Sequence, residues 1–262
     1  MTRLTTLVDA EAVAARAATE IARDLRSARE ARGVAHLTLS GGTTPARTYE
    51  LLAHELEDWT GIEVWFADER CVGPQDEQSN YRLAQETLLA TAQIPTEQVH
   101  RMEGELGPER GAERYAFLLG ERVPAQADDP ARAQAQEAQA RDEEDDGPPA
   151  LDVIVLGIGP DGHVASLFPS APTLDAGPRE LCLPVHDSPK PPPERITLSL
   201  AVLRAARACV LLATSASKSD AVAAMLAEPS HHVPASLLRR GRLNVIVDDA
   251  AAPPPPLGTH TG

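Results

Sequence analysis

The segment from Leu151 to Pro169, Leu-Asp-Val-Ile-Val-Leu-Gly-Ile-Gly-Pro-Asp-Gly-His-Val-Ala-Ser-Leu-Phe-Pro, restricts the fold more than any other part of the chain. Its apolar β-branched run, Val153 to Leu156, reads as a strand buried on both faces, as in parallel sheets. The run then breaks into Gly157, Gly159 and Gly162, with Asp161 and His163 among them. Glycine has no Cβ, so backbone at such a break can come close to a ligand. An imidazole placed there changes protonation near neutral pH. The segment is therefore expected to deliver a general acid or base from a strand end into a cleft.

Similar patterning continues along the chain. Residues 34–39, 62–67, 196–200, 209–213 and 243–247 read as further strands, and residues 12–31, 46–56, 81–89, 109–119 and 219–226 as helices. Strands alternating with helices predict an α/β fold, a mostly parallel sheet with helices on both faces. Ligands collect beyond the carboxyl ends of such strands. Ser40-Gly-Gly-Thr-Thr-Pro45, Asp68-Glu69-Arg70 and the Asp161–His163 stretch all fall at strand ends, so they are expected to converge. Residues 1–249 are expected to form one catalytic domain. Residues 124–149 interrupt it with an Ala-, Gln- and Pro-rich stretch holding eight acids and two arginines. That composition predicts a solvated, disordered insertion, with a short helix possible at 131–141. Residues 250–262, with prolines at 253–256, are expected to be a frayed tail.

A net charge of −15 argues against nucleic acid and anionic membranes as partners. No apolar run approaches membrane-spanning length, and the first residues lack a signal-peptide layout. Cys71, Cys182 and Cys209 are far apart and odd in number, which suits a reducing cytoplasm. The expected state is a monomer or small homo-oligomer.

An anionic ligand would need a locally positive site within this acidic chain. Ser40 to Pro45 offers one, since its glycines leave backbone N–H groups exposed at a helix start and Thr43 can add a hydroxyl. In this reading Thr44 is the N-cap and Pro45 lies in the first turn. An ordinary strand-to-helix turn has the same sequence pattern. The chain uses twenty-two arginines and only two lysines, Lys190 and Lys218, both in loops next to strands. An ammonium is a compact point charge suited to phosphate, although two surface lysines remain the plain alternative. Arg70 and Arg195 have the same placement at strand ends.

His163 is the candidate base, because a neutral imidazole can accept a proton from water. Asp161 and Asp68 are candidates to orient it or to hold a substrate hydroxyl. His36, His54, His100, His186, His231, His232 and His260 lack a glycine setting and are expected to be structural or exposed. No metal-binding spacing and no Gly-x-Ser-x-Gly elbow occurs, so neither metal nor cofactor is expected.

Several motifs then occur in order: Ser-Gly-Gly-Thr-Thr-Pro at 40–45, Trp-Phe-Ala-Asp-Glu-Arg at 65–70, Ser79-Asn80-Tyr81, and Gly-Ile-Gly-Pro-Asp-Gly-His-Val-Ala-Ser-Leu-Phe-Pro at 157–169. Ser-Pro-Lys-Pro-Pro-Pro-Glu-Arg-Ile-Thr-Leu at 188–198, Ser217-Lys218 and Pro234-Ala-Ser-Leu237 follow. Over nearly its whole length the chain resembles the 6-phosphogluconolactonase family, within the glucosamine/galactosamine-6-phosphate isomerase superfamily. The resemblance implies a Rossmann-like sheet and metal-independent hydrolysis of a phosphorylated sugar lactone in the pentose phosphate pathway. It implies that His163 activates water, with Asp161 in support and Arg70 near the reacting end or the phosphate. Gly41, Gly42, Thr43, Arg195 and Lys218 would hold the phosphate, with Lys190 a further candidate. The chain departs from the family pattern mainly in the long insertion at 124–149.

Two alternatives stand beside this reading. Amino-sugar phosphate deaminases resemble this core but carry an acid five residues after the histidine, where this chain has Phe168. A sugar-phosphate sensor without turnover would keep the grip and need no base, yet His163 and Asp161 are both present.

Overall fold

The computed structural model describes residues 2–125, 147–240 and 242–253, without the side chain of Arg240. The expectations for most of the 124–149 insertion and for most of the tail lie outside the described residues.

The chain begins with a strand, β1 (Thr2–Leu7), and a long helix, α1 (Ala10–Arg32). Along α1, Val13, Ala14, Ala17, Ala18, Ile21, Ala22, Leu25 and Ala28 recur at helical spacing and are buried. The Asp9 side chain accepts from Ala12 N at 2.8 Å, and Gly33 at φ 79° closes the last turn. These caps explain why the helix runs past the 12–31 core visible in the sequence. Next come β2 (Ala35–Leu39), α2 (Thr43–Glu55), β3 (Ile62–Phe66), β4 (Asp68–Arg70) and α3 (Asn80–Ala84), which a π-helical turn, Gln85–Leu89, prolongs. The remaining elements are α4 (Pro108–Arg122), β5 (Val153–Gly157), β6 (Cys182–Val185), β7 (Arg195–Leu198), α5 (Leu200–Ala205), β8 (Ala208–Ala213), α6 (Ser219–Leu226) and β9 (Leu243–Asp248).

Six strands form one sheet in the order β1-β9-β8-β5-β2-β3, and every pairing in it is parallel. Helices flank it, and one connected apolar core runs from Val13 to Ala251. From β2 the chain steps outward to β3, whereas β5, β8 and β9 are laid down in the opposite direction. The reversal lies between β2 and β5, and ligands bind in the crevice that such a reversal opens. The loops leaving those two strands are Ser40 to Gly42 and Ile158 to His163. The end of β5 runs close to the first of these loops, since a Cβ built on Gly157 would lie 3.9 Å from the Gly41 carbonyl oxygen.

A second, antiparallel sheet, β4-β7-β6, covers this end of the molecule. It converts Asp68-Glu69-Arg70 from the expected strand tail into a strand of its own. Residues 196–200, expected as one strand, divide at Ser199, whose hydroxyl accepts from Val202 N and starts α5. β1 escapes the sequence reading because Thr-Arg-Leu-Thr-Thr-Leu at a sheet edge carries no apolar run. Among the described residues no helix is long and apolar enough to cross a membrane.

Candidate active site

The crevice between β2 and β5 is a cleft of about 300 Å³. Gly41, Gly42, Thr43, Asp68, Arg70, His163, Lys190, Arg195 and Lys218 all line it. These residues come from five separate stretches of chain, and the parallel sheet brings them to one end.

His163 follows the glycine break after β5. Its Nδ1 lies 2.5 Å from Asp161 Oδ1. A carboxylate only accepts, so in the neutral ring Nδ1 carries the proton and Nε2 keeps its lone pair. Gly159 makes this pairing possible: a Cβ there would sit 2.0 Å from His163 Nδ1 and 2.3 Å from Asp161 Oδ1. Phe168 covers one side of the imidazole, with ring centroids 4.9 Å apart. Burial lowers the His163 pKa below 6.5, and this outweighs the hydrogen bond and charge of Asp161, which pull it up. Burial also works to raise the Asp161 pKa, but the hydrogen bond from His163 and the nearby positive charges leave it lowered. The ring is therefore largely neutral and ready to take a proton at pH 7.

Facing it is the start of α2. The N-cap is Gly42 at φ 115°, not Thr44 as the sequence suggested, and no side chain caps the helix. Glycine takes this left-handed backbone without the penalty a Cβ brings. Thr44 is instead inside the helix, and its Oγ1 is 2.7 Å from Thr214 Oγ1 in the loop before Lys218. The open N–H groups and the helix dipole leave a ready cradle for an anion.

The cations differ in what already engages them. Arg195 is 4% exposed; its Nε donates to Pro192 O at 3.1 Å and its Nη2 to Lys190 O at 2.9 Å and Pro191 O at 3.3 Å. Its guanidinium thus fastens the loop that carries Lys190. Arg70 donates Nη1 to the Gln78 carbonyl, and its buried Nε has no hydrogen-bond partner among the described residues. Among the described residues no carboxylate pairs with Lys190, Lys218 or Arg70. Burial and the neighbouring Lys190 lower the Lys218 pKa, with Asp161 acting the other way. Unpaired cations facing one cleft in a chain of net charge −15 make a local positive field that an anion would relieve.

Asp68 is 4% exposed and bonded on both carboxylate oxygens. Ser166 Oγ donates to Oδ2 at 2.7 Å and Asn80 Nδ2 to Oδ1 at 3.2 Å. Its contacts are to the protein wall, and no hydrogen bond joins it to His163. Sequence reasoning missed Asn80, Ser166 and Asp248 in this setting. Asp248, at the end of β9, accepts from Ser215 N at 3.1 and 3.0 Å and anchors the Lys218 loop, with Ser215 held at φ 80°. The Ser79-Asn80-Tyr81 motif was the one available signal for Asn80.

Fold and cleft together define a class: α/β proteins that present a helix start and a histidine at the switch point of a parallel sheet. The chain belongs to the family described as glucosamine-6-phosphate isomerases/6-phosphogluconolactonases, whose model matches residues 8–247. It is 37% identical over 241 residues to 6-phosphogluconolactonase of Streptomyces coelicolor, covering 90% of this chain and 86% of that protein. Identity to 6-phosphogluconolactonase of Mycobacterium tuberculosis is 34% over 223 residues, 83% of each chain. The solved structure of 6-phosphogluconolactonase from Trypanosoma brucei superposes with a TM-score of 0.78 at 25% identity, covering 96% of this chain and 97% of that one.

Proposed function

We propose that this chain hydrolyses 6-phospho-D-glucono-1,5-lactone to 6-phospho-D-gluconate, the lactonase step of the oxidative pentose phosphate pathway. The observation that carries the reading is the shared cleft, which brings together an oriented neutral imidazole, a helix start without a side-chain cap and cations that pair with no carboxylate among the described residues. The substrate has an ester carbonyl at one end and a phosphate at the other.

In this mechanism the phosphate binds the N–H groups of Gly41, Gly42 and Thr43 at the start of α2, with Lys218 adding charge. Arg195 acts mainly by holding the 188–195 loop, so that Lys190 faces the cleft. His163 Nε2 takes a proton from water, and the hydroxide adds to the lactone carbonyl. The tetrahedral intermediate collapses by breaking the bond from C1 to the ring oxygen, which takes the proton back from His163. The new carboxylic acid then ionises. Asp161 holds the ring tautomer and offsets the imidazolium charge while it lasts. Arg70, near the reacting end, is the candidate to stabilise the oxyanion.

Phe168 supports lactone hydrolysis over amino-sugar deamination, because an apolar ring packed on His163 cannot shuttle a proton. The reaction is placed in the cytoplasm, a reading supported by the free thiols of Cys71, Cys182 and Cys209. The test is turnover by purified protein. Lactone hydrolysis is expected well above the spontaneous rate and unchanged by chelator, with no ammonia released from glucosamine 6-phosphate. Hydrolysis at only the spontaneous rate would refute the proposal.

A further inference from the structure

Within the Ser79-Asn80-Tyr81 motif, Asn80 has no part in the phosphate grip or the base described above. Its side chain is 3% exposed and lines the cleft. Nδ2 donates to the Asp68 carbonyl at 2.8 Å and to Asp68 Oδ1 at 3.2 Å. Both partners are acceptors, so the carboxamide sits one way round, with nitrogen toward Asp68 and Oδ1 turned away. Oδ1 lies against the α-carbon of Gly41, where an added Cβ would come within 2.1 Å of it. Gly41 has no left-handed backbone to explain it, so this close approach is the reason a glycine stands there. Among the described residues Oδ1 accepts no hydrogen bond, and it is not sealed from the cleft as an orphaned atom.

The backbone beneath Asn80 is fixed as firmly. The buried Glu69 carboxylate accepts from Asn80 N at 2.7 Å, Tyr81 N and Arg70 N at 2.8 Å each, and Ser79 Oγ at 3.0 Å. Asp68, which holds the carboxamide, is itself bonded by Ser166, three residues beyond His163. Asn80 Oδ1 is thus an acceptor of fixed orientation on the wall that joins the phosphate cradle to the base. A ligand that spans the cradle and the base passes this wall, which lines the same cleft.

We infer that Asn80 is a specificity-determining residue whose Oδ1 accepts a hydrogen bond from one ring hydroxyl, at C2, C3 or C4, of the lactone. This rests on the lactonase reading above. It assigns the asparagine a contact with substrate beyond its role in holding Asp68.

The experiment compares kcat/KM for the parent lactone and its 2-, 3- and 4-deoxy analogues in the wild type, Asn80→Ala and Asn80→Ser. One deoxy analogue is expected to lose about five- to tenfold against the parent in the wild type, the size of one neutral hydrogen bond. In Asn80→Ala the same analogue and the parent should be equal, because the partner is gone. A merely structural asparagine would lower all four substrates alike and leave their ratios untouched, which overturns the inference. Should neither variant melt cooperatively, the wild type still decides: equal kcat/KM for all four lactones overturns it. A wild type that does not hydrolyse the parent lactone refutes the lactonase reading, whereas full wild-type turnover without hydroxyl coupling refutes only the role of Asn80.

Discussion

The two ends of the parallel sheet treat most of their charged groups differently. At the amino ends of the strands, Asp152 takes hydrogen bonds from His36 N at 2.8 Å and from Arg32, and pairs with Arg207 at 3.3 Å. His36 Nδ1 accepts from Trp65 Nε1 at 3.1 Å, and His100 Nε2 lies 2.5 Å from Glu63 Oε2 beneath the Trp65 ring. At the carboxyl ends, Lys190, Lys218 and Arg70 line the cleft, and among the described residues none of them pairs with a carboxylate. His163 has one partner and an open lone pair. Charge satisfied inside the protein supports the fold, and charge left facing a cleft can bind and react.

The sharpest way to break this contrast is to remove one histidine from each end. His163→Ala is expected to cut kcat by about 10²- to 10⁴-fold, the range for a lost general base, with product affinity nearly intact. His100→Ala should leave kcat alone and lower the melting temperature. Equal kinetic losses in both variants would end the distinction.

Next in size is the phosphate grip. Lys218→Ala should weaken phosphorylated lactone by about 1.5–3 kcal/mol, as for a lost charge-assisted hydrogen bond, and leave an unphosphorylated lactone unchanged. Steady-state kinetics on the two substrates separates this from general damage. Of comparable size but opposite kind is Asp152→Ala, which should cost about 1–3 kcal/mol of unfolding free energy without changing kcat. Urea titration beside an activity assay reads both.

The pH dependences also differ between the ends. Activity needs His163 unprotonated, so kcat/KM should fall as pH drops through a midpoint below 6.5. Asp161→Asn removes an influence that raises that pKa, so its acid limb should move to lower pH while kcat declines through loss of ring orientation. Burial lowers the pKa of His36 and His100 as well. Their protonation favours the unfolded chain, so their contribution to stability is complete above 6.5 and declines as pH falls from there toward their lower folded values. Melting curves between pH 7 and 5 should show this smaller slope, and it should flatten in His100→Ala.

What was legible in the sequence followed from local rules. Glycines around His163 and the Ser40–Pro45 turn announced themselves because backbone approach and helix starts leave marks within a few residues. The mean features of the sheet were legible because burial on both faces writes continuous apolar runs. Asp68 shows where local reading stops: its strand-end position was visible, but its partner Ser166 is 98 residues away. Arg195 looked like a free cation, and only the folded 188–195 loop puts three carbonyls around its guanidinium. Thr44 satisfied every cap preference, yet Gly42 reached the left-handed geometry and the hydroxyl found Thr214 instead.

The direct pairing of β2 with β5, Leu37 opposite Val153 and Thr38 opposite Ile154, has a consequence for ligand size. The anchor follows the last shared rung by three residues on the β2 side and the base by nine on the β5 side, so both are carried by strands held about 4.8 Å apart in a sheet that does not stretch. The Thr44–Thr214 contact ties the start of α2 to the loop after β8, on the other side of β5. Such a mouth works as a caliper of fixed jaw width. A homologue one carbon shorter or longer would offset its carbonyl by about 1.5 Å, and a slip of roughly 1 Å already costs on the order of a hundredfold in rate.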